Sequence, residues 1–496
     1  MGIESGRVDS RPQNTDFYFR RGVTYSYLTA GTFSARLSPG GFIFDVAGSS
    51  LFPDDIPLVL AVLNSTFAAY ALKLINPTVN FQVGDLARLP VPESSGKKLS
   101  PLVEKAISLA KTDSEEDETT YDFVGPPAWK TGIDDVANRH SLLAEIESEI
   151  DEEVYRLYGI SSKDREAIEA ELAGPRLSES EEENGGASNS EKESEPTEEQ
   201  PLTRQELALG WIGYGLGIVM GRFQPGSPDG LGRGRFEPEV ARKLAAMADA
   251  DGIMVIDRGH PDDIASRVYA ALCTALGEED AAEVVQAATG RPGDPETELR
   301  GFFQRDFFKQ HIQQYRKRPI YWFLQSSGKR YGVVLFHEKI TPDTLFVIMQ
   351  RYLDPKIALE QSRLEELTSR RQKAQGPERR RIDKEIDTSG EFLAELLQFK
   401  ETIESITRMK NQRGETAGYA PDINDGVLIN MSPLRGLIQD RSYARELQKC
   451  WDRLEAGDYD WSHMAMRYWT DRVREKCKIN KSYAIAHNVM DMYEGT

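Results

Sequence analysis

Residues 41–92 read GFIFDVAGSSLFPDDIPLVLAVLNSTFAAYALKLINPTVNFQVGDLARLPVP, and this stretch decides the fold of the first part of the chain. A short apolar run, Gly41–Phe44, precedes small residues, a pattern typical of a strand that enters a tight turn. Over Ile56–Ile75, apolar side chains recur every three or four residues, which predicts one long helix with a wide buried face. Residues suited to its ends flank it: Asp54 and Asp55 before, Asn76-Pro77 after.

Two further segments near this helix predict strands. Over Val79–Val83, apolar residues alternate with Asn80 and Gln82, which indicates a strand with one apolar and one amide face. Upstream, residues 16–33 are rich in aromatic and β-branched side chains and contain Gly22 and Gly31, which favours a twisted hairpin. Strands and a buried helix together predict a mixed α and β domain at the start of the chain.

These segments, in this order, resemble the target-recognition domain of type IIG restriction-modification enzymes and of the PglX-like adenine-specific DNA methyltransferases of BREX phage-exclusion systems. The resemblance continues through most of the chain and favours the PglX-like family, in particular its target-recognition and C-terminal part. The segments that carry it are GYGLGIVMGRF from Gly213, FFKQHIQQYRKRPIYWFLQSSGK from Phe307, PDINDGVLIN from Pro421 and GDYDWSHMAMRYW from Gly457.

The resemblance implies a protein that acts on double-stranded DNA, with S-adenosylmethionine as methyl donor and a flipped adenine as substrate. The family carries a glycine-rich cofactor loop and an Asn-Pro-Pro-aromatic tetrapeptide, and neither motif occurs in this sequence. Phe44–Ser50 has glycine but no helix directly after it, and Gly125–Trp129 lacks the leading amide. We therefore expect no catalytic residue and no cofactor in this chain, with catalysis supplied by a methyltransferase subunit or upstream domain.

Composition is that of a globular protein with a strong acidic excess. The 496 residues suffice for about three domains, 39% are hydrophobic, and the formal charge is −19. Residues 176–200 contribute nine glutamates against one arginine and one lysine, which predicts a disordered linker. Cys273, Cys450 and Cys477 lie far apart, so we expect no metal site and no disulfide framework. A cytoplasmic protein without a membrane segment is expected.

The sequence predicts an α+β protein: a mixed target-recognition domain with short strands and a long buried helix, then largely helical domains with one β-hairpin and a helical hairpin. The hairpin is predicted around Ser326–Lys329, and the helical hairpin around Gly376-Pro377. The predicted boundaries are a target-recognition domain over 1–95, a helical spacer over 96–175, the acidic linker over 176–200, a helical domain with the β-hairpin over 201–355, the helical hairpin over 356–411 and a C-terminal helical domain over 412–496.

On a net-negative chain, contact with DNA requires local basic patches. The candidates for phosphate contact are basic residues in three places. One group lies among the aromatic residues near the start of the chain, a second precedes the apolar strand of the β-hairpin, and a third lies at the tip of the helical hairpin. Asn80 and Gln82 are candidate base-reading residues, since amides pair with adenine in the major groove. The full set of predicted DNA-binding residues is Arg20, Arg21, Arg36, Asn80, Gln82, Arg88, Arg316, Lys317, Arg379, Arg380 and Arg381.

Other interpretations of the same residues stay open. The aromatic residues near the start can simply pack the sheet while the arginines face water, and the basic hairpin tip can be ordinary helix solvation beside glutamates. The whole chain can also be a non-catalytic scaffold that binds other phage-defence proteins. Salt-dependent binding to duplex DNA separates a DNA-binding module from such a scaffold.

Overall fold

The computed structural model describes residues 14–27, 33–45, 48–76, 78, 80–93, 96–172 and 201–494. The predicted acidic linker, 176–200, lies outside them. The chain forms two compact units. We name the unit with the described residues of 14–116 and 130–203 the first unit, and the unit with those of 117–129 and 204–494 the second unit. Residues 117–129 thus belong to the second unit, although the residues on both sides belong to the first.

In the first unit, three strands form one antiparallel sheet in the order β2-β1-β3. Its strands are β1 (Gly22–Ser26), β2 (Ala35–Ser38) and β3 (Gly48–Leu51). Its helices are α1 (Ile56–Asn64), α2 (Thr66–Ile75), α3 (Val83–Leu86), α4 (Gly96–Glu116), α5 (Gly132–Tyr158) and α6 (Ser162–Leu172), and a 3-10 turn spans Thr15–Phe17.

The register of this sheet separates an apolar face from a polar one. Val23 lies opposite Leu37 and Leu51, and this row packs into the core of the first unit together with α1 and α4. The next row, Thr24 opposite Arg36 and Ser50, points to the other side because successive side chains of a strand alternate. One face of the sheet therefore belongs to the core and the other is polar.

Three predictions in this unit are wrong. Residues 42–45 are not a strand, and the strand lies instead at β3, in the segment for which the sequence predicts a turn. The single long helix is two helices, α1 and α2, bent by 71° at Ser65. The predicted strand over Val79–Val83 is not formed at its described residues, 80–83. Asn80 makes an isolated bridge, and the chain then enters α3 with Val83 61% exposed.

The second unit is mostly helical and contains a second antiparallel sheet in the order β4-β6-β5. Its strands are β4 (Ile253–Val255), β5 (Tyr321–Gln325) and β6 (Gly332–Phe336). Its helices are α7 (Arg204–Met220), α8 (Pro238–Ala245), α9 (Ile264–Leu276), α10 (Glu278–Thr289), α11 (Pro295–Arg305), α12 (Phe307–Gln314), α13 (Thr344–Val347), α14 (Asp354–Lys373), α15 (Gly376–Thr407), α16 (Val427–Met431), α17 (Arg441–Ala456), α18 (His463–Tyr468), α19 (Thr470–Ile479) and α20 (Lys481–Ala486).

Short non-α turns complete the second unit: a π-helix over Ile348–Leu353 and 3-10 turns over His337–Lys339, Ile423–Asp425, Ser432–Leu437 and Met490–Met492. Every residue of β4, β5 and β6 is buried, so this sheet is covered on both faces. The predicted β-hairpin (β5 and β6) and helical hairpin (α14 and α15) are confirmed. The sequence of Pro421–Asn430 predicts a turn followed by a strand. The strand is wrong, because that segment forms a 3-10 turn and the start of α16.

Gly213, Gly217 and Gly221 lie four residues apart in the sequence, a spacing that predicts a smooth stripe on a helix where another element can approach closely. The glycines of α7 do permit such close packing. A Cβ atom on Gly213 would lie 2.6 Å from Oε2 of Glu118, and one on Gly217 would lie 2.1 Å from the Phe223 ring. The segment 117–129 packs beside this helix. The N–H of Gly232 donates to the carbonyl of Phe123 at 2.8 Å, and the indole N–H of Trp211 donates to the carbonyl of Pro127 at 3.0 Å.

The α+β class is confirmed by these two small sheets among many helices. No single helix of the described residues is long and apolar enough to cross a bilayer; α1 and α2 meet the length and composition requirement only as a bent pair.

Candidate nucleic-acid interface

Asn64, Ser65 and Thr66 at the bend between α1 and α2 organise the first unit. The Asn64 side chain accepts from the N–H of Ala35 at 2.8 Å and donates to the carbonyl of Ala35 at 2.9 Å. The Ser65 hydroxyl accepts from the N–H of Ala68 and so caps α2, while the Thr66 N–H donates to Asp151 on α5 at 2.8 Å. Each polar residue at the bend thus fixes a different element.

The bond to Ala35 matters because β2 is an edge strand and Arg36 is its next residue. An edge strand leaves alternate backbone N–H and carbonyl groups without a partner on a neighbouring strand. The Asn64 side chain is the hydrogen-bond partner for these groups of Ala35. Arg36 is exposed and lies on the polar face in a row with Thr24 and Ser50. The bend therefore holds the backbone from which Arg36 projects.

A second exposed group lies just before β1. The backbone of Phe19 has φ of 64°, a region that an aromatic residue seldom adopts, and its ring is 64% exposed. Its N–H donates to the carbonyl of Phe42, whose ring is also exposed. Arg20 and Arg21 follow directly and are exposed, with the Arg20 guanidinium 5.1 Å from the Phe17 ring centre. Strained backbone that displays a large apolar ring is typical of functional sites.

The alternative that the aromatic residues only pack the sheet is correct for part of the segment. Tyr25 and Phe33 are buried in the core with ring centres 5.5 Å apart. Phe17 and Phe19 are not buried in this way. The segment therefore divides into a packing half and an exposed basic and aromatic half.

The described arginines of the first unit fall into two classes. Arg139, Arg156 and Arg165 on the helices each form an ion pair with a carboxylate, at 2.6 to 2.7 Å. The other four are exposed and have no ion pair within the described part of the chain: Arg20, Arg21, Arg36 and Arg88. Arg88 contributes to the lowered pKa of Asp85, after the hydrogen bonds from Gln82 and Asn76. In an acidic protein, exposed arginines that form no ion pair are available to phosphate.

The structure places Asn80 and Gln82 differently from the prediction. They do not share the face of a strand. The Asn80 carbonyl accepts from the Asn76 side chain at 2.7 Å, and the Gln82 N–H donates to Asp85 at 3.0 Å at the start of α3. The Gln82 side chain is exposed and that of Asn80 is half-buried. Arg88 follows α3 and is exposed, so these three candidates lie within one short segment.

The remaining candidates belong to the second unit. Arg316 and Lys317 form the turn between α12 and β5, with left-handed φ values of 46° and 63°, and both are exposed. Arg379, Arg380 and Arg381 are exposed near the start of α15, and Arg381 lies 3.4 Å from Glu385. The Ile382 side chain is buried between α14 and α15, which fixes this tip.

Two residues of the interface are not evident from the sequence. The sequence marks Asn64 only as a polar residue within an apolar helix, and its hydrogen bonds to Ala35 depend on a contact 29 residues away. Phe19 is one aromatic residue among several, and no pattern marks its positive φ. An aromatic residue next to two arginines is the only signal that the sequence offers.

The described residues offer no arrangement suited to a metal ion, since no group of three or more His, Cys, Asp or Glu side chains among them could hold one. The segments nearest to the family's two catalytic motifs have structural roles: Gly48–Leu51 is β3, and Gly125–Trp129 packs beside α7.

Comparison with known proteins gives two relatives and no matching family model. The chain is 28% identical over 472 residues to the adenine-specific methyltransferase BrxX of Escherichia coli O9:H4 (strain HS), covering 88% of this chain and 38% of that protein. It is 27% identical over 448 residues to the adenine-specific methyltransferase PglX of Lacticaseibacillus casei (strain Zhang), covering 86% of this chain and 35% of that protein. The chain thus spans little more than a third of these relatives. It is a homologue of BrxX and PglX, adenine-specific methyltransferases of BREX systems.

Proposed function

We propose that this chain supplies DNA target recognition and grip to an adenine-specific DNA methyltransferase of a phage-defence system. The observation that carries the proposal is the set of four exposed arginines of the first unit that form no ion pair with a described residue: Arg20, Arg21, Arg36 and Arg88. The relatives are adenine-specific methyltransferases, which supports duplex DNA as the ligand.

Charge explains why these four side chains matter. The formal charge of −19 repels DNA at a distance, so binding depends on local cations that displace counterions from the phosphates. Phe19 adds an exposed ring beside Arg20 and Arg21, and aromatic rings stack on bases that leave the helix. The surface combines charge for grip with a ring for unstacked bases.

Sequence choice is assigned to Asn80 and Gln82. Phosphate contacts position a protein on DNA, whereas contacts to base edges specify the sequence. An amide side chain donates to N7 or accepts from N6 of adenine, and a good bidentate pair contributes about 1–3 kcal/mol of discrimination. The exposed Gln82 side chain and the nearby Arg88 combine a base reader with a phosphate contact in one segment.

Methyl transfer is assigned to a methyltransferase subunit or domain that carries S-adenosylmethionine. Other proteins of the defence system are further candidate partners. In this proposal the second unit contributes additional phosphate contacts through Arg316, Lys317 and the arginines at the start of α15, Arg379, Arg380 and Arg381.

Fluorescence polarisation with duplex DNA over a salt series tests the proposal. Arginine-to-glutamine replacement at positions 20, 21, 36 and 88 together should lower affinity and reduce the salt slope by about 0.9 for each phosphate that is no longer neutralised. The matched control replaces two ion-paired arginines of the same unit, Arg156→Gln and Arg165→Gln, and should leave the slope unchanged. Binding without a salt slope in the unmodified chain would instead support the scaffold.

Base reading needs a separate test. The chain, combined with a cognate methyltransferase subunit, should methylate a defined DNA motif. In the Asn80→Ala and Gln82→Ala variants this motif should become less specific, while the salt dependence of DNA binding should stay almost unchanged. Sequencing of methylated sites gives the motif. An unchanged motif in both variants would contradict the assignment of base reading to these amides.

A further inference from the structure

A cavity of about 550 Å³ lies in the second unit beside the helical hairpin of α14 and α15. Its wall also includes residues that follow β4, residues of α11 and the turn between β5 and β6. The volume is within the range of small-molecule sites, about 300–1,000 Å³. Seven basic and three acidic side chains line it, so its charge is strongly positive although the protein is acidic.

The three carboxylates of the wall are already paired. Lys356 lies 2.8 Å from Asp257 and 3.2 Å from Glu360, and Arg381 lies 3.4 Å from Glu385. Arg363 adds a longer contact to Glu360, at 3.9 Å. Each acidic side chain of the wall therefore lies beside a cation of the same wall, although the buried Oε2 of Glu360 has no hydrogen-bond partner among the described residues.

The other cations of the wall divide into paired and unpaired ones. Arg300 and Arg330 pair with carboxylates outside the wall, Asp263 and Glu395. Two cations are left over: Arg258 and Lys384 are exposed and have no ion pair with any described residue. The pKa of Asp294 is lowered by hydrogen bonds from Thr297 and in part by the charge of Arg258, so Arg258 is partly compensated. The cavity therefore offers two exposed cations without an ion pair among the described residues, of which Lys384 is the less compensated.

A buried hydroxyl gives an independent indication of a ligand. Ser389 on α15 lines the cavity, is only 5% exposed, and its hydroxyl has no hydrogen-bond partner among the described residues. A buried polar group without a partner costs about 1–3 kcal/mol, and in native proteins such a group is commonly met by an ordered water, an ion or a ligand. A hydroxyl donates readily to a phosphate oxygen.

We propose that this cavity binds a small phosphate-bearing anion, held by Arg258 and Lys384 and accepting a hydrogen bond from Ser389. The aromatic ring in the wall does not offer a free face for a base, because Arg330 and Lys356 lie 5.3 and 5.7 Å from the centre of the Phe392 ring. Recognition is thus directed at the phosphate and not at an attached base. Of the residues proposed to contact DNA, Arg381 also lines this cavity, whereas the four arginines of the first unit do not.

Isothermal titration of the full chain with inorganic pyrophosphate tests this site. We expect saturable binding that Arg258→Gln, Lys384→Gln and Ser389→Ala each weaken about tenfold, since each removes a charged or charge-assisted hydrogen bond. Lys309→Gln is the matched control: it removes one exposed cation of the same unit outside the cavity and should leave pyrophosphate binding unchanged. Equal melting temperatures would show that the variants fold.

Two outcomes overturn the proposal. One is the absence of pyrophosphate binding, or binding that the control variant weakens as much as the cavity variants do. The other is competition between pyrophosphate and duplex DNA in which the same three cavity variants weaken DNA binding equally; the occupant is then a phosphate of a DNA strand and not a small anion. DNA binding that is unaffected by saturating pyrophosphate supports a separate small-ligand site.

Discussion

The side-chain amide of Asn64 forms both backbone hydrogen bonds of Ala35, at 2.8 and 2.9 Å, as a neighbouring strand would. A residue at the end of α1 thus completes the edge of the sheet that carries Arg36. Because both backbone groups of Ala35 depend on this one amide, the position of Arg36 is tied to the bend between α1 and α2.

Replacement of Asn64 by alanine should destabilise the first unit by about 1–3 kcal/mol, since its two hydrogen bonds to Ala35 and a third to the carbonyl of Leu60 are removed. Exchange of the Ala35 amide hydrogen should become faster, by about tenfold for each 1.4 kcal/mol of lost stability, as measured by hydrogen exchange with mass spectrometry. Asn80→Ala is the control, because no side-chain hydrogen bond of Asn80 occurs among the described residues, and protection at Ala35 should not change. Equal protection in Asn64→Ala would refute the role of this amide.

Phe19→Ala should weaken DNA binding without changing the salt slope, because the ring carries no charge and lies 64% exposed. It should not lower the stability of the protein, since the ring is exposed and alanine tolerates the backbone no worse than phenylalanine does. Salt-series polarisation and thermal melting measure the two quantities. A fall in melting temperature with unaltered affinity would show that the ring serves only the fold.

Replacement of two glycines of α7 by alanine should change the stability of the second unit in opposite directions. A Cβ atom on Gly217 would lie 2.1 Å from the Phe223 ring, so Gly217→Ala should destabilise the second unit by about 1–3 kcal/mol through overpacking. At Gly210 the nearest atom, Cβ of Pro126, is 3.9 Å away, and alanine should stabilise the helix by about 0.5–1 kcal/mol. Urea unfolding of both variants gives the comparison. The same sign in both would contradict the packing of α7 described above.

His311 should make the second unit sensitive to acid. Its Nε2 accepts from the N–H groups of Ile320 and Tyr321, at 3.0 Å each, so the ring is needed in its neutral form. Burial lowers the pKa of His311 from its usual value near 6.5 to about 3. The unfolded chain therefore takes up a proton that the folded chain excludes. Stability from this group is complete above pH 6.5 and decreases as the pH falls towards 3, by up to about 1.4 kcal/mol per pH unit.

Urea unfolding between pH 7 and pH 4 measures this decrease. A His311→Asn variant should be less stable at pH 7 but should lose less stability on acidification. If the variant and the unmodified chain lose stability in parallel, other groups account for the acid sensitivity.

Local patterns predict much of the second unit and less of the first. The β-hairpin of β5 and β6 and the glycine-faced α7 follow from turn residues and spacing that act over a few residues. The bend at Ser65 is hidden in the sequence because apolar spacing continues through it, whereas the cap formed by Ser65 and the bond from Thr66 to Asp151 depend on tertiary contacts. The strand at Val79–Val83 is predicted from alternation alone, which cannot show that Val83 faces solvent.

The candidate interface is predictable by residue type but not by geometry. Arginines beside aromatic residues identify Arg20 and Arg21, yet the distinction between paired and unpaired arginines requires the positions of carboxylates such as Glu153 and Glu169. The basic cavity is invisible in the sequence, because Arg258 and Lys384 are more than a hundred residues apart. Its defining feature, the hydroxyl of Ser389 without a partner among the described residues, is a property of packing alone.

The placement of residues 117–129 has a consequence for a chain that has been cut. Low hydrophobicity and dense charge make 176–200 the expected first site of proteolysis. The fragment that starts at residue 1 then still contributes Phe123 and Val124, both buried, to the second unit. The two fragments should co-elute in native gel filtration and separate only in denaturant, as in fragment complementation. A piece that starts at residue 204, produced alone, should bind a peptide of residues 117–129 and gain stability from it.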